Sequence, residues 1–415
     1  MNEKLKMENG KLKKYKLGEI AYFVDDKISS DEISLNEYIT TDCLLQNKKG
    51  RSIATNLPPQ PCSLTKFKRG DILIGNIRPY LKKIWLSDID GGCSLDVLAL
   101  RAKNKDESAY LYSLLMQDNF YDFVMKAAKG SKMPRGDKNH ILTFPCSNVN
   151  HKIEIGNFIK SLDDKIALNR RMNEKLTAMA KRLYDHWFVQ FDFPNADGKP
   201  YKSSGGKMVW NEALKREIPA GWEVKRLGEF LDCNKNSMSS ESDYKYINYL
   251  DTSSLTENLI NGIAKIHQDY PSRAKRIVNK NDILFSTVRP AQHHFGIIKK
   301  TVKNMIASTG FAILSCKYGS EYNEFFYQFI TSTENIEKLD SIANLNASSY
   351  PSINPSDILD LKITLPHEIS ELKPFIDKVS AIFELVDSRQ RETQKLTALR
   401  DRLLPLLMNG QVEVR

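Results

Sequence analysis

Apolar residues recur in two arrangements along this chain. Short continuous runs such as Asp71-Ile-Leu-Ile74 and Phe311-Ala-Ile-Leu314 are bounded by Gly, Pro, Asn and Asp, the pattern of strands punctuated by turns. Among them lie stretches with apolar residues three and four apart, as from Tyr110 to Val124, and these predict helices. Phe325 to Leu339 occupies the matching place later in the chain. Both halves therefore read as mixed α/β domains, an α+β fold class.

The second arrangement is longer. Ile155, Ile159, Leu162 and Ile166, then Met172, Leu176, Met179 and Leu183, form a stripe with spacings of four and three. Phe375, Val379, Ile382 and Val386, then Leu396, Leu399 and Leu403, form a second. Each stripe runs for roughly 30 residues, about 45 Å of helix, which predicts two long helices pairing with each other as a coiled coil. Asn169 and Arg389 interrupt the stripes at matching places, where a polar seam residue fixes register and partner. The competing reading has each helix packing on its own domain with these residues solvated. Pro405 should kink or end the final helix.

The halves are copies of one plan. Lys16-Leu-Gly-Glu19 returns as Arg226-Leu-Gly-Glu229, at an offset of 210. Asp71-Ile-Leu-Ile-Gly-Asn-Ile-Arg-Pro79 returns as Asp282-Ile-Leu-Phe-Ser-Thr-Val-Arg-Pro290 at 211, Pro134 as Pro351 at 217, and Lys175-Leu-Thr-Ala178 as Lys395-Leu-Thr-Ala398 at 220. Four matches in one order with so little drift predict a pseudo-twofold repeat. The expected domains are 1–150, a spacer helix over 151–190, a breaker-rich connector over 191–221, a second domain over 222–366 and a second spacer helix over 367–410.

Charge narrows the partners. The 415 residues carry a formal charge of +10, which favours an acidic partner such as nucleic acid, while 41% hydrophobic and 27% charged residues describe an ordinary globular chain. Six separate cysteines and a charged N-terminus without an apolar core predict a reducing, cytoplasmic, unanchored setting with no membrane partner. No phosphate-binding or dinucleotide-binding glycine motif occurs, and the seven histidines are not spaced as metal ligands, so neither a catalytic residue nor a metal is expected. Acidic triplets such as Asp163-Asp-Lys165 resemble nuclease motifs, but their place on the first stripe favours a solvated helix face.

The candidate DNA-binding residues sit in loops. Arg78 and Arg289 each follow an apolar strand and precede a proline, with Asn76 and Thr287 two residues earlier; a guanidinium there can reach a phosphate or a guanine edge. The alternative is a surface arginine in a local ion pair. Lys129, Lys132, Arg135 and Lys138 bracket two glycines as a cationic loop suited to a DNA backbone. Its counterpart holds Ser348, Ser349 and Tyr350 and is nearly uncharged, so the halves differ where a target would be read.

The stretch Ile159-Lys-Ser-Leu-Asp-Asp-Lys-Ile-Ala-Leu-Asn-Arg-Arg-Met-Asn-Glu-Lys-Leu, running into Tyr184-Asp-His-Trp-Phe-Val-Gln-Phe, resembles the central region of type I restriction-modification specificity subunits. Ile218-Pro-Ala-Gly-Trp-Glu-Val-Lys-Arg-Leu-Gly-Glu229 and Lys395-Leu-Thr-Ala-Leu-Arg-Asp-Arg-Leu-Leu-Pro-Leu-Leu-Met-Asn-Gly410 extend the likeness over residues 15–410. The resemblance implies a non-catalytic subunit with two target recognition domains, one per half of a bipartite double-stranded DNA site, separated by antiparallel helices. Its implied partners are two methyltransferase subunits, which bind S-adenosylmethionine and methylate adenine N6, and restriction motor-nuclease subunits. The alternatives are a coiled-coil scaffold or the DNA-binding subunit of a fused nuclease-methyltransferase system.

Overall fold

A computed structural model of the chain describes residues 7–8, 11–12, 14–239, 244–346 and 350–414. It divides into two compact units, residues 1–170 with 392–415, and residues 171–391.

In the first unit Ala21–Phe23, Val97–Ala102, Ile72–Gly75 and Ile84–Leu86 form a four-stranded antiparallel sheet in that order. Its two central strands are apolar except at Arg101 because both faces are covered. Ile72, Ile74, Leu98 and Leu100 point into a core shared with the helices Ser108–Leu115 and Asp118–Lys126. Leu73, Val97 and Ala99 point the other way, into a core shared with a second sheet of Lys27–Ser29, Ser63–Phe67, Gly91–Cys93 and Tyr38–Ile39. A two-stranded antiparallel ribbon pairs Lys14–Lys16 with Pro145–Ser147.

The second unit repeats this plan. Leu231–Cys233, Phe311–Cys316, Ile283–Ser286 and Phe295–Ile297 form the corresponding sheet in the corresponding order. Ile283, Phe285, Ala312 and Leu314 again face the helical core, while Leu284, Phe311 and Ile313 face the inter-sheet core. The partner sheets share three strands and differ in the fourth. Lys27–Ser29 extends one edge in the first unit, whereas Ala264–Ile266 extends the opposite edge in the second.

Two long helices, Lys152–Tyr184 and Lys373–Met408, contribute a segment to each unit. They run antiparallel: in the first unit Asp163 meets Arg400 and Asn169 meets Glu392, and in the second Asn173 meets the carbonyl of Val386. The buried seam departs from the sequence reading in its outer halves. Ala180 and Tyr184 are buried where Met179 is 48% exposed, and Arg400, Leu404 and Leu407 are buried where Leu399 is 43% exposed. The reason is a one-residue rotation of the stripe, with Arg400 accepted into the seam because Asp163 neutralises it. Glycine is required at one helical position: a Cβ on Gly156 would lie 2.3 Å from the backbone nitrogen of Tyr110.

Three further features refine the sequence reading. Pro405 lies within the final helix, which ends soon after it at Met408. The connector over 191–221 carries a hairpin, Met208–Asn211 with Arg216–Pro219, and Phe193 stacks between Tyr201 and Trp222 at centroid distances of 4.7 and 4.9 Å. Asp163 is not solvated; its neighbour Asp164 is exposed and pairs with Lys160.

Candidate nucleic-acid interface

Three loops meet at one end of each central sheet, tied by backbone hydrogen bonds. In the first unit the Asn76 N–H donates to Asp96 O at 2.9 Å, the Arg78 N–H to Pro134 O at 2.8 Å, and Ile77 bridges Arg135. In the second, the Thr287 N–H donates to Gly310 O at 2.8 Å, the Arg289 N–H to Pro351 O at 3.0 Å, and Val288 bridges Ser352. Segments far apart in sequence are thus placed side by side, twice, by the same bonds.

Arg78 and Arg289 hold the same unusual backbone. Their φ values are 52° and 47°, in the left-handed region, and each caps a single 3-10 turn, Pro79–Leu81 or Pro290–Gln292. Such a conformation costs a residue with a Cβ roughly 1 kcal/mol or more. It persists because the proline fixes the next φ and the loop bonds fix the rest, and it leaves both guanidinium side chains exposed. The turn in the first unit ends at Lys82, which with Lys48 grips Asp118 at 2.9 and 2.7 Å. Burial raises the Asp118 pKa, but the bonds and charges of the two lysines outweigh it and leave the carboxyl below its ordinary range.

The cationic loop is a closed hairpin. Lys129 and Arg135 exchange two backbone hydrogen bonds of 2.9 Å around Gly130, whose φ of 98° turns the chain. The Lys129 side chain is 84% exposed and lies 3.5 Å from Asp137, and Lys132 projects from the tip into solvent. The backbone N–H of His140, then Lys129, hold the Asp137 carboxyl below its ordinary range. Arg135 is paired with Asp96 at 3.0 Å. Lys138 begins the helix Lys138–Leu142, its ammonium 5.6 Å from the Phe23 ring centre. Asn76 turns inward: its side-chain oxygen is buried beside Gly136 with no hydrogen-bond partner among the described residues.

In the second unit the Thr287 hydroxyl donates to Gly310 O at 3.1 Å, and the Arg289 guanidinium lies 5.9 Å from the ring centre of Tyr350, itself half exposed. Ser348 and Ser349 lie outside the described residues. Asp96, Leu95, Met133 and Tyr80 in the first unit, and Thr309, Gly310 and Ser352 in the second, join the interface without having been singled out from sequence. The signal that finds them is the repeat itself: the strands Val97–Ala102 and Phe311–Cys316 share an offset of 214, which aligns Asp96 with Gly310.

On the helices, Asn169 is buried and donates to a Glu392 carboxylate oxygen at 2.8 Å. Arg389 is half buried, with one guanidinium nitrogen enclosed and unpartnered among the described residues. Glu392 is repeated by Met172 in the first helix, so the acid that receives Asn169 has no counterpart for Arg389. A second polar joint in the first unit is buried: Arg400 meets Asp163 at 2.6 Å, and the Tyr112 hydroxyl donates to the other Asp163 oxygen at 2.7 Å. Burial and the adjoining Asp163 charge push the Tyr112 pKa well above its ordinary value. In the second unit the equivalent positions are Phe383, Ala180 and Tyr327, and here Tyr327 packs edge-on against Phe383 at 5.4 Å.

These features define a repeat protein in which each unit packs an α+β domain on its own segments of the two long helices and offers a three-loop face of one backbone design. Residues 219–398 match the family model described as the type I restriction modification DNA specificity domain. The chain is similar to the type I restriction enzyme MjaIX specificity subunit of Methanocaldococcus jannaschii, at 24% identity over 97% of this chain and 89% of the relative. It is likewise similar to the HindI specificity subunit of Haemophilus influenzae, at 24% identity over 96% of this chain and 99% of the relative. The fold matches the crystal structure of a type I restriction-modification S subunit from M. genitalium, with a TM-score of 0.59, 15% identity, and 98% and 99% of the two chains covered. The chain is thus similar to type I restriction-modification specificity subunits over nearly its whole length.

Proposed function

We propose that this chain is the DNA sequence-specificity subunit of a type I restriction-modification complex and reads a bipartite target, one half-site per domain. The observation that carries the reading is the twice-built loop face, with one backbone and two different sets of side chains. Identical faces would read identical half-sites; faces that keep Arg78 and Arg289 but exchange Met133 for Tyr350 and Arg135 for Ser352 read different ones. In this reading, among the residues chosen from sequence, Arg78, Lys129, Lys132, Lys138 and Arg289 hold phosphates, and Arg135, Thr287 and Tyr350 meet bases.

The finer parts of this reading concern partners. Two methyltransferase subunits dock on the helical regions, bind S-adenosylmethionine and methylate adenine N6, and motor-nuclease subunits join for cleavage in the cytoplasm. No helix among the described residues is long and apolar enough to cross a membrane. The role of this chain is recognition and spacing, with the chemistry left to those partners.

The test is single-molecule mapping of adenine methylation in a clean host carrying the neighbouring methyltransferase gene, with and without this one. A split motif should appear only with this chain, and exchanging residues 15–150 should change one half alone. A motif that survives deletion would overturn the reading. Replacing Lys129 by Ala should weaken binding to all sequences alike and reduce the salt slope by about 1.

A further inference from the structure

The loop face of the first unit is not uniformly cationic, and the exception is informative. Asp96 stands among Arg78, Lys129 and Arg135, ion-paired to Arg135 and 40% exposed in its side chain. A carboxylate there would repel a phosphate, so the part of the face around Asp96 is unsuited to the DNA backbone. It suits a groove floor, where a carboxylate accepts from a cytosine amino group and a fixed guanidinium donates to guanine. The cations at the rim, Arg78, Lys129 and Lys132, then fall on the phosphates to either side.

Two large apolar side chains flank this acidic point. Leu95, at the tip of the turn closed by the Val97 N–H to Ser94 O bond, is 73% exposed, and Met133, next to the proline that receives Arg78, is 50% exposed. Neither contributes to a core of the first unit. The backbone bonds that join Asp96 to Asn76 and Pro134 to Arg78 set the two residues on either side of one short segment. In the second unit the same places hold Thr309 and Tyr350, so no common packing duty explains an exposed leucine and methionine.

We infer that Leu95 and Met133 are specificity-determining residues of the N-terminal half-site, each packing in the major groove against the methyl group of a thymine. This rests on the proposed DNA-reading function and adds to it a chemical class of contact and a consequence for the target. The N-terminal half-site contains at least one A·T pair whose thymine methyl is read. The loop surrounded by cations selects DNA over an apolar protein partner as the occupant of this patch, because a protein groove for leucine and methionine would have to bury those charges.

The experiment uses the assembled complex and the half-site found by methylation mapping. Each thymine of that half-site is replaced in turn by deoxyuridine, which removes the methyl and leaves base pairing intact, and binding is compared for the unaltered chain and for Leu95→Ala, Leu95→Thr and Met133→Ala. For the unaltered chain, one or two positions should lose roughly fourfold in affinity, the worth of one buried methyl. The variant lacking the contacting side chain should bind thymine and deoxyuridine DNA equally at that position. Deoxyuridine tolerated everywhere, loss of the same size in all variants, or a half-site without A·T pairs would each overturn the inference. So would variants that keep the motif but no longer assemble with the methyltransferase, which would make the patch a protein contact. Absence of any sequence preference in the unaltered complex would instead remove the proposed function itself.

Discussion

Asp71 and Asp282 occupy one place in the repeat, the start of a central strand, and both are buried. Asp71 is held by two hydrogen bonds of 2.7 Å from Arg101, and this contact raises the arginine's pKa. The residue aligned with Arg101 is Ser315, so Asp282 has no arginine and is held by the Asn279 N–H at 2.7 Å, the Asn279 side chain and the serine, and it borders a cleft of about 50 Å³. Burial therefore raises the Asp282 pKa, with those hydrogen bonds opposing it. A folded state that holds this proton more tightly than the unfolded chain loses stability as pH rises from the ordinary carboxylate range, about 4, through the raised value. Replacing Ser315 by Arg should supply the missing partner. Urea unfolding should show the variant more stable than the unaltered chain, by a margin that is larger at pH 7.5 than at pH 4.5. A margin that shrinks with rising pH would contradict the pairing. The converse change, Arg101→Ser, leaves the buried carboxylate with the Lys68 N–H but no counter-charge and should cost about 3 kcal/mol in the same measurement.

The helix pair shows how differently the repeat can solve one packing problem. The joint of Tyr112, Asp163 and Arg400 is polar, and its counterpart of Tyr327, Phe383 and Ala180 is aromatic and aliphatic. With the Arg400 and Asp163 side chains 3% and 18% exposed, Asp163→Ala leaves the buried guanidinium only its half-exposed neighbour Asp401 at 2.9 Å and should cost about 3 kcal/mol. Importing the other joint as Asp163→Phe with Arg400→Ala should recover at least half of that loss, the remainder reflecting the Tyr112 hydroxyl left without its acceptor. A double variant less stable than Asp163→Ala would show that the two joints are not interchangeable. This element also marks a boundary of legibility. The existence of two long helices follows from their stripes, since few short domains need thirty residues of period. Which face is buried does not follow, because Leu399 outranks Arg400 on any hydrophobic scale and only Asp163, distant in sequence, reverses the order. Among the loops, the Arg-Pro pairs stand out because they are spelled the same twice. Leu95 is silent for the opposite reason: it reads as the first residue of the apolar run ending at Leu100, and only the turn that closes at Val97 turns it outward.

For the molecule as a whole, the proposed function makes the helix pair a spacer between half-sites. Inserting seven residues into both helices, in phase with the seam, lengthens each by about 10 Å. The gap between methylated half-sites should then grow by up to ~3 base pairs, and an unchanged gap in a folded, active variant would refute the spacer role. The partition of the chain carries a different kind of consequence. The first unit packs Ile155 and Ile159 with Leu404, Leu407 and Met408, and pairs Asp163 with Arg400, so its core includes both the earliest domain and the last helical turns. On a ribosome, residues 171–391 must be made before those turns exist, roughly 10–45 s at ~5–20 residues per second. During that interval the nascent first domain carries an uncovered apolar face and a carboxylate without its arginine. A message cut short anywhere before Arg400 yields a product that never closes either, and a chain in that state is what chaperones hold and proteases remove. Only a chain translated through its last helix, and so carrying both loop faces, completes the fold.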